Sequence, residues 1–262
     1  TQIGTDNWIA AAANFKWSAA INSAGQLFTW GSNSSGQLGD NTTVSKSTPT
    51  QIGTNTWQKI SAGYNYGLAI RNDKKLFSWG TSAALGRAAG IAPAQVGVND
   101  WLEISAGSYH SLAISVTGAL YAFGSNASGQ LGIGASGDQT LPTLIGTSIW
   151  TNIAAGDSHT LAVRADGLLF ACGNNTYGQL GDNDITTNRY SLTQVGVGTW
   201  KTVTANYNYS AGLSATGKLF TWGDNVSGQL GDGTNIDKTT PTQIGTSTWY
   251  NVAAGGFHVA AI

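Results

Sequence analysis

Cysteine is almost missing from this chain of 262 residues: Cys172 stands alone, so no intrachain disulfide can form and cysteine pairing says nothing about the redox compartment. Charge is scarce as well. Twelve Lys and Arg face thirteen Asp and Glu, with Glu103 the sole glutamate, and the net charge of −1 excludes a phosphate-tracking surface and hence a nucleic-acid partner. No apolar run approaches the ~20 residues that a bilayer requires, so membrane insertion is not expected. Methionine is absent and Thr1 falls in mid-pattern, which leads one to expect a processed product or an excised piece. Proline occurs four times.

What is abundant is glycine, with 36 residues, and tryptophan, with 10, among many Asn, Ser and Thr. Such a mixture suits strands and tight turns, and helix content is expected to be minimal. Six tryptophans, Trp8, Trp57, Trp101, Trp150, Trp200 and Trp249, each follow a Gln/Leu-Ile/Val-Gly step at intervals of 49, 44, 49, 50 and 49 residues. A period near fifty from end to end means one supersecondary unit used repeatedly, burying its apolar faces against its own copies. The repeats run over about 1–49, 50–93, 94–142, 143–192, 193–241 and, in part, 242–262, and form a single domain.

In the third unit, the segments at Ala94–Gly97, Trp101–Gly107, His110–Ile114 and Ala119–Gly124 are short apolar runs bounded by Gly or turn residues, the pattern of a four-stranded meander. Turns such as Ala24-Gly25, Thr117-Gly118, Asp166-Gly167 and Thr216-Gly217 supply a positive φ; Asn72-Asp73-Lys74 departs from that rule. A long loop then leads to Pro49, Pro142 or Pro241 at the start of an outer strand. Four strands repeated around an axis make a propeller. Only the Leu-Phe-Thr-Trp type strand is one short of six, so the expectation is an all-β, six-bladed β-propeller of four-stranded antiparallel blades. Its N-terminal strand at Gln2-Ile3 would share the last blade with the C-terminal strands. Each buried repeat tryptophan removes roughly 150–250 Å² from water, about 4–6 kcal/mol gross.

The pattern Trp-x-x-Ile-x-Ala-Gly-x-x-His-x-Leu-Ala-Ile, then Gly-x-Leu-Tyr/Phe-x-Trp/Phe-Gly, Asn-x-x-Gly-Gln-Leu-Gly and Pro-x-x-Ile/Val-Gly resembles the regulator of chromosome condensation repeat family over essentially the whole chain. Trp57 to Gly80 and Trp150 to Gly181 carry most of the likeness. The resemblance implies a β-propeller, usually of seven blades, serving as a protein-interaction scaffold; here the count departs from seven. Relatives include exchange factors for a small GTPase, a plant UV-B sensor and secreted inhibitors of β-lactamases. This chain shows neither a basic tail nor an inserted wedge. Its tryptophans fall on repeat core positions, with only Trp17 outside the scheme.

In a meander, alternate connections emerge on opposite faces, so the hairpin after Ala-Gly shares a face with the long loop. Its tips read Phe15-Lys16, Tyr64-Asn65, Ser108-Tyr109, Asp157-Ser158, Tyr207-Asn208 and Gly256-Phe257. Aromatics beside small hydrogen-bonding groups on rigid turns are recognition chemistry, although they could equally cover the central channel. The next position holds Trp17, Tyr66, His110, His159, Tyr209 and His258. Strand parity turns His110 inward with Leu112 and Ile114, which argues for packing rather than a zinc site. The Asp-rich loops lack the full calcium pattern, and Cys172 takes a core position. From Trp79 to Pro93 the second unit loses five residues of loop and carries Ala84-Leu85-Gly86-Arg87, which is expected to leave a notch flanked by Arg87 and Tyr64.

The expected binding set is therefore Phe15, Lys16, Trp17, Tyr64, Asn65, Arg87, Tyr109, Asp157, Tyr207, Asn208 and Phe257, with no catalytic group, metal or cofactor. The expected role is a non-enzymatic protein-binding scaffold, extracellular or on a virion surface. A carbohydrate-binding propeller using Tyr64, Tyr109, Tyr207 and Phe257 is the alternative. An inhibitor-like binder or an exchange factor comes behind both.

Overall fold

The computed structural model describes residues 6–262. The first unit holds β1 (Trp8–Asn14), β2 (Trp17–Asn22), β3 (Gln26–Gly31) and the start of β4 (Lys46–Ala62). The far half of β4 opens the second unit, followed by β5 (Tyr66–Arg71), β6 (Leu76–Gly80) and β7 (Gly90–Gln95). The third is β8 (Trp101–Ala106), β9 (His110–Ser115), β10 (Leu120–Gly124) and β11 (Gln139–Leu144). The fourth comprises β12 (Trp150–Ala155), β13 (His159–Arg164), β14 (Leu168–Gly173) and the start of β15 (Arg189–Asn206). The rest of β15 joins β16 (Tyr209–Ser214), β17 (Leu219–Gly223) and β18 (Lys238–Gln243), and a sixth, partial unit holds β19 (Val252–Ala254) and β20 (Val259–Ala261). Among the described residues every pairing of named strands is antiparallel and joins sequence neighbours, and one isolated antiparallel bridge, Ile133 with Ser191, links the third unit to the fourth. The one helical turn described is Ala83–Leu85, in the shortened loop of unit two.

Inner strands alternate in exposure, as in β1, because one side faces the axis and the other packs on a neighbour. Second strands such as β5 and β9 are buried along almost their whole length: sheets cover them on both faces, which is why each carries three consecutive apolar residues, Leu68-Ala69-Ile70 and Leu112-Ala113-Ile114. The repeat tryptophan of each of the first five units meets an aromatic of its own unit edge-on. Trp57 lies 5.3 Å from Phe77, Trp101 5.1 Å from Tyr121 and Trp150 5.4 Å from Phe170. The apolar cores lie between successive units: Ile21, Leu27 and Leu38 of the first pack with Trp57 and Trp79 of the second. Cys172 belongs to this interior and is fully buried, which pushes its thiol up.

The inner strands of all six units line one axial cavity of about 320 Å³, walled mostly by alanine and other small residues. This agrees with radial repetition of antiparallel sheets. Closure into six blades is not seen among the described residues: no strand pairing joins the last unit to the first, and β20 pairs only with β19. The expected closing strand at Gln2-Ile3 lies outside the described residues. A cleft of about 630 Å³ separates the two end units, bordered by Phe15, Ser18, Phe257 and His258.

Candidate functional site

The two-residue hairpins Phe15-Lys16 and Tyr207-Asn208 place Phe15 at φ 46° and Tyr207 at φ 35°, a region costly for aromatic residues. The second, third, fourth and sixth units use a longer turn that begins with glycine, closed by bonds such as Gly107 N–H to the His110 carbonyl at 2.9 Å. The glycine is required because the ring three residues on lies over it: a Cβ on Gly107 would meet His110 Nδ1 at 2.9 Å. Tips and long loops meet on one face, as the Ser125 amide donates to the Tyr109 carbonyl at 2.8 Å and the Asn174 amide to the Ser158 carbonyl at 2.8 Å.

At this face the structure brings five expected residues into an aromatic rim. Phe15 stacks on Tyr64 at 4.6 Å, Tyr64 reaches Tyr109 at 5.8 Å, and Tyr207 stacks on Phe257 at 5.3 Å. Phe15, Tyr109 and Phe257 are about half exposed, at 55%, 48% and 59%. Asp157 occupies the tip between Tyr109 and Tyr207, and its amide donates to the Tyr207 carbonyl at 3.0 Å. Partial burial, with Tyr64, Asp157 and Tyr207 nearby, pushes the Tyr109 hydroxyl up. Lys16 lies over Phe15, 4.9 Å from the ring centre. Asn65 and Asn208 sit half-buried on their tips, and their carbonyls accept from Thr81 at 3.2 Å and Asp224 at 3.0 Å.

Two expected residues stand apart from the rim. Trp17 is buried and donates Nε1–H to the Gly63 carbonyl at 2.8 Å, tying the first unit to the second. Arg87 turns inward onto the carbonyls of Ser78, Ala88 and Ala92, and burial lowers its pKa. It braces the shortened loop, whose Leu85 carbonyl takes the bond from Ser78 that Leu38 takes from Thr29 in the first unit.

Trp17 belongs to a set of inter-unit ties that sequence reasoning missed. The Tyr66 hydroxyl donates to the His110 carbonyl at 2.7 Å, His110 Nε2 meets Thr160 Oγ1 at 2.9 Å, and His159 Nε2 meets Ser210 Oγ at 3.0 Å. Tyr209 continues the series to the Gly255 carbonyl at 2.7 Å. Burial holds His110 at about 4 and His159 at about 3, so both rings are neutral near pH 7. Among the described residues no group of His, Cys, Asp and Glu is placed to hold a metal ion. Also missed was a trough of about 710 Å³ between the long loops of units four and five, with Tyr177, Ile185, Val226 and Ile236 on its walls. Its only sequence signal is aliphatic residues in otherwise polar loops.

A family model described as RCC1-like domain matches residues 1–261. Human WBSCR16 superposes with a TM-score of 0.86 at 20% identity, over 97% of this chain and 71% of that one. Yeast RCC1 (Prp20), solved with Kap60 bound, gives 0.86 at 21% identity over 97% and 67%. A second structure, Prp20p of Saccharomyces cerevisiae, described with its binding to Gsp1p and histones, gives 0.65 at 19% identity over 97% and 82%. Comparison with curated protein sequences gave no match.

Proposed function

The chain belongs to the RCC1-like domain family, and from that premise we propose that it is a non-enzymatic protein-interaction scaffold which holds its partner on the hairpin-tip face. The observation that carries this reading is the rim itself. Large rings stand half exposed on turns whose backbone is held at both ends by hydrogen-bonded strands, which gives contact area at little ordering cost. The solved relatives support it, since the yeast proteins are described with protein partners. The scarcity of charge and the neutral polar surface favour display outside a cell or on a virion.

A photoreactive residue in place of Tyr109 is expected to cross-link a protein partner, whereas one in place of Asp166 on the opposite face gives no adduct. Adducts from Asp166 alone would overturn the reading. Glycan-array binding competed by millimolar sugar would replace it with the carbohydrate alternative. Stacking of Phe15 on Tyr64 and of Tyr207 on Phe257 supports the protein reading, because it occupies one face of each ring that a sugar would need.

The proposal includes closure of the units into six blades through His258 and Ser18. His110 and His159 each find a hydroxyl in the following unit, and Ser18 is the hydroxyl at that position of the first. On closure, Ser18→Ala is expected to shift the His258 ring resonances in an NMR spectrum. Unchanged resonances would mean that the end units stay apart.

A further inference from the structure

Resting on the interaction reading of this face, we infer that the gap in the aromatic rim at Asp157 is a seat for a cationic side chain, a lysine or arginine presented by the partner. Five of the six hairpin tips carry an aromatic residue, and the fourth carries a carboxylate in its place. That carboxylate has little to do within the fold. Of the acidic side chains, Asp40, Asp73, Asp100, Glu103, Asp166, Asp182, Asp184 and Asp232 form ion pairs. Asp138, Asp224 and Asp237 accept from backbone amides of Asn126, Val226 and Asn225 at 2.9, 3.1 and 2.8 Å. Asp6 and Asp157 have neither kind of partner among the described residues: Asp6, away from the hairpin tips, accepts a 3.4 Å bond from Asn22 Nδ2, and the Asp157 carboxylate accepts only a long bond, 3.4 Å, from the Ser158 hydroxyl.

The usual structural reason for aspartate in a turn therefore fails here. Asp40, Asp166 and Asp232 each accept from the amide two residues on, at 3.0, 3.2 and 2.9 Å, and Asp157 does not. Its flanks are Tyr109 and Tyr207, whose ring faces and hydroxyl oxygens present negative potential, and the half-buried setting weakens solvent screening. The nearest thing to a competing cation on the rim, Lys16, sits three units away over Phe15. Positive charge is thus repelled from the first unit and drawn to the fourth. An anionic or purely apolar group would leave the carboxylate desolvated without compensation, which selects against both.

The full chain, with backbone resonances followed by NMR, is titrated with N-acetyl-lysine-methylamide, then with the norleucine and glutamate analogues, which lack the cation. The lysine probe is expected to shift the amides of Tyr109, Asp157, Ser158 and Tyr207. Asp157→Asn, which keeps the shape, is expected to weaken it about tenfold, and added salt to weaken it further. The norleucine and glutamate probes are expected to bind at least about tenfold more weakly than lysine. Equal response to norleucine or glutamate, an unchanged Asp157→Asn variant, or no shift at these four amides would overturn the seat. Failure here with tip-face cross-linking intact removes the cation and leaves the face. Lysine binding that depends on Asp157 without any tip-face cross-link does the reverse.

Discussion

The two ends of the strands are made from similar turns and differ in what those turns leave over. At the end where each third strand begins, charges are matched: Arg71 pairs with Asp73 at 2.6 Å, Lys75 with Asp100 at 2.7 Å and Arg164 with Asp166 at 2.7 Å. The turns there also dock the next unit, since Trp150 donates its amide to the Gly118 carbonyl at 2.9 Å and Trp200 donates to Gly167 at 2.8 Å. At the opposite end the ion pairs lie back in the long loops, as Arg189 with Asp182 at 2.7 Å, and the hairpin tips, whose backbone is equally well bonded, carry rings, a carboxylate without an ion-pair partner among the described residues and a lysine over phenylalanine. One end completes the scaffold. The other holds chemistry that the scaffold does not need, which is why the proposed partner is placed there.

Glycine substitutions sharpen this contrast most. Gly173 has φ 106°, and a Cβ there would run into the Ser158 carbonyl and come within 2.6 Å of His159 Cα, so Gly173→Ala is expected to cost about 3 kcal/mol or more. Gly167, at the opposite end, has φ 85°, and a Cβ there would come no nearer than 3.2 Å to the Thr199 side chain and 3.8 Å to its Cα; Gly167→Ala is expected to cost about 1–2 kcal/mol. Urea denaturation of the two variants checks the order, and a larger loss at Gly167 would break it.

The next effect is set by pH. His110 and His159 bind their protons less readily folded than unfolded, so their stability contribution is complete above about 6.5 and is lost as pH falls toward 4 and 3. Asp184, held at about 2 by Thr186, loses its contribution only as pH falls below the ordinary carboxylate range. The early part of acid unfolding is therefore assigned to the tip-end ties. Replacing both histidines by tyrosine, the residue at that position in units two and five, is expected to remove a loss on the order of a few kcal/mol. Urea midpoints between pH 6.5 and 4 measure it, and an unchanged slope in the double variant would reassign the loss to carboxylates.

Much of this was legible in the residues because a repeat states each requirement several times. The Trp interval gave the units, and the Ala-Gly step marked the places where a ring lies over the backbone. The parity that turned His110 inward applies equally to Trp17, so its burial was readable from the same alignment of units. Arg87 was not readable. Its carbonyl acceptors are exposed only by the shortened loop and come from Ser78 and Ala92 on two different strands. The histidine-to-hydroxyl ties escaped for a related reason: the sequence registers strands within a unit, whereas these bonds depend on how one unit is offset against the next.

The continuity of β4 and β15 has a mechanical consequence. Each is the outermost strand of one unit and the innermost of the next, so pulling at the rim of unit one or unit four loads a strand that also lines the axis. Among the described residues the units are thereby organised as two doublets, one on each side of unit three, with the partial sixth unit after the second; the strands of units three and six share no residue with their neighbours. Strain from a bound partner would travel more directly within a doublet, along the shared strand, than across the breaks on either side of unit three or before unit six.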